Sequence, residues 1–273
     1  MGELVDQCTT SQRMAGILSM ILSSIAMILG FWWGSHENSN HTGWLDGFNN
    51  CTLHAVLMIL GMCFCYTQAL MSFRVLHDFG HAFAKGFHFL SHSFTVGLMI
   101  AALYYIIKWH NGKNLGHLSS MHSWLGLILV FVYFQNWVLG IVSFGLGDRI
   151  PLEWKKKYLP SHRFLGIVGL LLAAVVMQTG IAQKNWIDGT SGCFYIFTDD
   201  EEKNNPAAGY TEIGAGCRAS FGIGLIIILN TIVALFALWQ FPIDSNKVEA
   251  RQEYQNGQKP EFELIPQHQQ LNP

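Results

Sequence analysis

Four histidines in this chain each stand at the mouth of a long apolar run. His54 precedes AVLMILGMCFCYTQALMSF, His88 precedes FLSHSFTVGLMIAALYYII, His122 precedes SWLGLILVFVYFQNWVLGIVSF and His162 precedes RFLGIVGLLLAAVVMQTGIA. Their separations are 34, 34 and 40 residues. A helix that crosses a bilayer needs about 20 apolar residues, so each interval holds one helix and one short connection. Successive histidines therefore alternate between the two membrane faces. His54 and His122 share one face, and His88 and His162 share the other.

Buried polar groups within a bundle need partners, and two facing imidazoles at one depth can hold a metal or a haem iron. Haem is the better fit, because a zinc site usually takes at least three protein ligands, whereas a porphyrin supplies four nitrogens and leaves two axial bonds for histidine. An iron with both axial positions filled by protein exchanges electrons but has no vacancy for a substrate. Two such haems, one near each face, would form a wire across the membrane. The competing class is a haem-free transporter or scaffold whose histidines move protons or bind a transition metal. Two neighbours complicate the assignment. His92 lies one helical turn from His88 on the same face, and His77 and His81 form another pair four residues apart.

The elements that must position these side chains are six apolar runs, roughly 13 to 33, 54 to 73, 89 to 107, 122 to 146, 162 to 182 and 219 to 240. The 273 residues are 51% apolar and 12% charged, against about 25% charged in soluble domains. Too little polar sequence remains to wrap six buried helices in water. The expected fold is an all-α membrane protein of six spans, with spans two to five forming a central four-helix bundle around two haems. Residues 1–12 form an N-terminal segment, 13–240 the six-span domain and 241–273 a Gln-, Asn- and Glu-rich tail read as disordered and cytosolic.

Orientation follows from lysine and arginine in the connections. Eleven of the 16 basic residues fall on the side of the N-terminus, and five (Lys108, Lys113, Lys184, Lys203 and Arg218) fall on the other. Both termini are thus expected in the cytosol. Residues 1–12 include Glu3 and Asp6 and lack a basic cluster, so no cleaved signal peptide is expected. Two N-glycosylation triplets, at Asn40 and Asn50, fall in the first outer connection. Cys193 and Cys217 lie in one outer loop, where an oxidising compartment favours a disulfide between them. Cys51 has no obvious mate, and Cys63 and Cys65 read as packing residues within the second span. A net charge of −2 says little about partners, and no feature marks a nucleic-acid or nucleotide site.

Several pieces in order resemble the cytochrome b561 family of transmembrane ascorbate-dependent oxidoreductases. They are His54-Ala-Val-Leu-Met-Ile-Leu-Gly, Gln68-Ala-Leu-Met-Ser-Phe-Arg74, Lys85-Gly-Phe-His88, His110-Asn111, Ser120-Met-His122-Ser-Trp124-Leu-Gly126, Gln135-Asn-Trp137-Val-Leu-Gly140-Ile-Val-Ser143-Phe and Leu159-Pro160-Ser-His162. The similarity covers about residues 13 to 240. It implies two b-type haems, His54 with His122 on the outer and His88 with His162 on the inner, and so favours His88 over His92.

The resemblance further implies electron transfer from cytosolic ascorbate to monodehydroascorbate or a ferric chelate on the far side, in a homodimer. The membrane would be the plasma membrane or that of an endolysosomal or secretory vesicle. Arg74, Lys85, Lys155, Lys156 and Lys157 flank the inner pair and suit an anionic donor, although they double as positive-inside anchors. Trp109, His110, Asn111, Lys113 and His117 surround the outer pair, where the family carries its outer substrate site. One departure is plain: the family often continues with basic residues after Arg74, and here Val-Leu-His77-Asp78 intervenes.

Overall fold

The computed structural model describes residues 10–36, 49–146, 149–187 and 215–239. Six helices in it are long and apolar enough to cross a membrane. They are α1 (Thr10–His36), α2 (Asn50–Val75), α3 (His81–Lys113), α4 (Met121–Gly145), α5 (Leu152–Ile187) and α6 (Ala215–Leu238). The chain is a multi-pass, all-helical membrane protein.

Two helices begin on side-chain caps. Asn49 accepts the amide of Thr52 at 2.8 Å, and Ser120 accepts that of Ser123 at 3.2 Å. Gly80, at φ 94°, turns the chain into α3, a backbone conformation that a Cβ disfavours. The helices overrun the apolar runs at the inner end, where α1 begins: α3 starts seven residues before His88 and α5 ten before His162. Helical hydrogen bonding continues into the polar headgroup region, where hydropathy no longer marks it. The inner histidines therefore sit two to three turns inside their helices, while His54 and His122 lie within the first two turns of theirs.

The helix α2 is the hub and the most buried of the six. It pairs with α3 as one hairpin, α4 pairs with α5 as another, and α1 packs along α6 and α2. Polar side chains fasten α1 and α6 to the hub. Ser19 donates to Asn230 Oδ1 at 2.7 Å, Asn230 Nδ2 to Thr67 at 3.0 Å, and Gln68 Nε2 to Ser23 at 3.2 Å. Lipid is no less apolar than leucine, so such interhelical hydrogen bonds, with close packing at small residues, supply cohesion that hydrophobicity cannot. Met62, Tyr66, Met99, Leu129, Tyr133, Leu170 and Ala173 fill the core shared by the two hairpins.

Two stretches depart from α-helical geometry. Ile59–Cys65 within α2 and Ile141–Gly145 at the end of α4 are π-helical, a form that usually marks one inserted residue and recurs at functional sites.

Candidate electron-transfer site

The two hairpins bring the four span-entry histidines together in two pairs. His54 faces His122 with ring centroids 6.3 Å apart, and His88 faces His162 at the same 6.3 Å. Each pair joins one ring from each hairpin.

Within each hairpin the rings are anchored reciprocally through Nδ1. His54 meets the carbonyl of Ala102 at 3.0 Å and His88 that of Ala69 at 2.8 Å. His122 meets the carbonyl of Val176 at 2.9 Å, and His162 meets Asn136 Oδ1 at 3.1 Å. A carbonyl oxygen can only accept, so Nδ1 carries the proton in each ring and Nε2 keeps its lone pair for a metal. A ligating histidine whose other nitrogen donates to a carbonyl is the usual arrangement around bound iron or zinc.

Each helix from α2 to α5 thus carries a paired histidine at one end and an anchor for its neighbour at the other. The step from histidine to anchor is 14 residues in α3 (His88 to Ala102), α4 (His122 to Asn136) and α5 (His162 to Val176). It is 15 in α2, from His54 to Ala69, and the π-helical Ile59–Cys65 lies between them. One inserted residue lets α2 cover the same distance, about 21 Å at 1.5 Å per residue.

A metal–imidazole bond is about 2 Å long, so two such bonds plus the two ring radii come to about 6 Å, which matches both pairs. The surroundings fit a flat group as well. The facing helices α3 and α4 scarcely meet. A Cβ on Gly180 would stand 2.7 Å from His122, and one on Gly140 would stand 3.0 Å from His162, so glycine keeps both rings clear. The indole N–H of Trp137 is buried without a partner among the described residues, a donor left for a bound group. Each pair offers two ligating side chains, and no cluster of three occurs among the described residues, which disfavours zinc.

His92 has different company. Its Nδ1 lies 2.6 Å from the hydroxyl of Tyr133, its ring meets the edge of His88 at 4.4 Å, and Tyr66 and Tyr133 pack against it and each other. Tyr66 donates to the carbonyl of Gly166 at 2.6 Å. Among the described rings in contact with His92, none is an opposing imidazole from the other hairpin.

At the inner end Lys85 donates to the carbonyl of Phe144 at 2.8 Å, tying α3 to the π-helical end of α4. Lys155 is half-buried, Lys157 is exposed, and Lys156 pairs with Glu153 at 3.3 Å. Arg74 is buried, with the helical backbone of α1 close by at Gly16. Beyond it, Asp78 in the interrupted basic stretch is bound by Arg13, which holds its carboxyl below the usual range.

At the outer end His110 stacks on His117 at 5.4 Å, Asn111 Oδ1 lies 2.9 Å from His117 Nε2, and Trp109 adjoins His110 at 5.3 Å. These four expected residues form one cluster where α3 ends. Asn50 opens α2, while Asn40 lies outside the described residues. Cys217 is disulfide-bonded, and its expected partner Cys193 lies outside the described residues. His77 and His81 are exposed near the inner end, and His81 lies 5.8 Å from Phe73.

Asn136, Tyr158 and Tyr133 are the residues that spacing alone did not single out. The one signal was polar: Gln135 and Asn136 interrupt an otherwise apolar span, and polar side chains at such depth tend to serve a site.

Six spanning helices with two facing, anchored imidazole pairs define a multi-pass membrane protein built to hold a metal or haem group near each end. The family model described as eukaryotic cytochrome b561 matches residues 53–188, and the chain belongs to that family, which implies haem. It is 25% identical to a putative transmembrane ascorbate-dependent reductase of Caenorhabditis elegans over 62% of this chain and 66% of the relative. It is 31% identical to ascorbate-specific transmembrane electron transporter 1 of Zea mays over 48% and 56%. It is 26% identical to a lysosomal membrane ascorbate-dependent ferrireductase of Danio rerio over 83% and 89%. The chain thus spans about half to two thirds of the worm and maize relatives and most of the zebrafish one.

Proposed function

We propose that this chain passes single electrons across a membrane, from ascorbate at the inner, cytosolic end to an acceptor at the outer end. The observation that carries the reading is the pair of imidazole clamps, equal in ring separation and set at opposite ends of helical steps of about 21 Å. His54 and His122 hold the outer haem, and His88 and His162 hold the inner. Haem bound by two histidines supplies a one-electron carrier with no open coordination position.

The chain's own residues do the rest. Carbonyls of Ala102, Ala69 and Val176 and the amide of Asn136 fix the ring tautomers. The glycines at 140 and 180 keep the rings upright, and the apolar core between the hairpins excludes water. Lys85, Lys155 and Lys157 supply positive charge for anionic ascorbate, and Arg74, buried near the inner end of α2, adds to that field. His110, Asn111, His117 and Trp109 present the outer acceptor, monodehydroascorbate or a ferric chelate. The names of the relatives support ascorbate as donor, and the zebrafish name supports ferric iron as acceptor. An endolysosomal, secretory-vesicle or plasma membrane and a homodimer complete the proposal; the dimer rests on family resemblance alone.

Vesicles loaded with ascorbate, with the purified chain reconstituted in their membrane, test it. Reduction of external ferric chelate or monodehydroascorbate is expected, and none in vesicles made with the doubly substituted His54→Ala, His88→Ala protein. Equal rates in both would refute electron transfer through the pairs.

A further inference from the structure

Three of the four anchored imidazoles have a main-chain carbonyl as their nearest acceptor, with Thr179 Oγ1 a more distant 3.5 Å from His122 Nδ1, whereas the acceptor of His162 is a side-chain amide oxygen. Asn136 grips it twice. Its Oδ1 accepts from His162 Nδ1 at 3.1 Å, and its Nδ2 donates to the His162 carbonyl at 3.3 Å. The same Oδ1 accepts a second hydrogen bond, from the hydroxyl of Tyr158 at 3.2 Å. Tyr158 is itself framed, stacked between Trp154 at 6.5 Å and Phe144 at 6.0 Å, and Trp154 is held by Ser143 at 3.1 Å.

A stronger acceptor on the far nitrogen makes a ligating imidazole more electron-rich and favours the oxidised metal, one of the means by which hydrogen bonds around a ligand set a potential. Two donors on one oxygen share its lone pairs, so Tyr158 weakens what Asn136 offers His162. We propose that Asn136, moderated by Tyr158, is a positioning residue that sets the reduction potential of the inner centre independently of the outer one. The inference rests on the haem reading above and extends it to residues that touch no substrate.

Redox titration of the purified full-length protein, followed in the visible haem bands and by electron paramagnetic resonance of the oxidised state, tests it. Asn136→Asp places a charged acceptor behind His162 and is expected to raise the oxidised-to-reduced ratio of the inner centre about tenfold at fixed poise, a fall of about 59 mV for one electron. Tyr158→Phe frees the oxygen from its second donor and is expected to move the same ratio in the same direction by about twofold. Asn136→Leu removes the acceptor and is expected to move it the opposite way. The outer centre keeps its potential and resonance in all three.

An inner potential unmoved in Tyr158→Phe and Asn136→Leu, or a shift shared equally by both centres, overturns the proposal. Should Asn136→Asp lose haem, the two milder variants decide. A wild-type protein without haem would instead sink the haem reading, and this inference with it.

Discussion

At the outer pair both rings lean on main-chain carbonyls, Ala102 for His54 and Val176 for His122. The inner pair has one such partner, Ala69 for His88, and one side chain, Asn136 for His162. The outer pair stands near its helix ends, whereas the inner pair stands further along its helices, and His88 meets His92, which packs on Tyr133 and Tyr66. A main-chain acceptor survives substitution of the residue that carries it; a side-chain acceptor does not. Equal ring spacing thus conceals unequal adjustability: at the outer end a side chain acts only on the back of a main-chain acceptor, through Thr179 Oγ1 on the Val176 carbonyl at 2.9 Å, whereas at the inner end the acceptor of His162 is itself a side chain.

The largest expected effect separates His88 from its neighbour. His88→Ala is expected to lose the inner haem, while His92→Ala keeps both, because the His92 ring is engaged with Tyr133 instead of an imidazole across the cleft. Haem content per polypeptide checks this, and full retention in His88→Ala would transfer the ligand role to His92.

Next come the cradle glycines. A Cβ at Gly180 stands closer to its ring than one at Gly140, 2.7 Å against 3.0 Å. Gly180→Ala is therefore expected to weaken outer haem retention, by about the 10- to 100-fold typical when a ligand loses its support. Gly140→Ala is expected to weaken inner retention by less. Haem transfer to apomyoglobin would measure both, and equal losses would show that the rings yield freely.

A smaller effect is expected from Tyr66→Phe, which leaves the carbonyl of Gly166 without its 2.6 Å donor. The cost is about 1 kcal/mol, read as a lower thermal midpoint with haem content unchanged. Smallest of all is the exposed link between Arg13 and Asp78. Arg13 depresses the Asp78 carboxyl, so the link contributes above the ordinary carboxylate value of 3.8 and is lost only as pH falls through the lower folded value. Thermal midpoints of wild type and Asp78→Asn are expected to differ by a small offset at neutral pH and to converge at high salt. An offset that salt leaves unchanged would show that the residue acts by something other than its charge.

The six spans and the pairing of four histidines were legible because apolar length and imidazole spacing are both one-dimensional signals. The inner extensions of α3 and α5 were not, since a helix outside the hydrocarbon layer needs no apolar residues. His88 and His92 share a helical face, so periodicity could not separate them; their different partners, His162 and Tyr133, come from other helices. The extra residue in α2 was also hidden. The step from His54 to Ala69 gains meaning only beside the three shorter steps, and the anchors are backbone atoms on which sequence places little constraint. Asn136 showed only as a polar residue in an apolar run, and its grip on His162 depends on how α4 meets α5.

The most direct test is haem stoichiometry and spectrum in the wild type and the four single variants His54→Ala, His88→Ala, His122→Ala and His162→Ala. Two haems per polypeptide are expected in the wild type and one in each variant. The residual spectra should sort His54 with His122 and His88 with His162. A single haem in the wild type, or residual spectra that sort by hairpin, His54 with His88, would contradict the pairing on which the account depends.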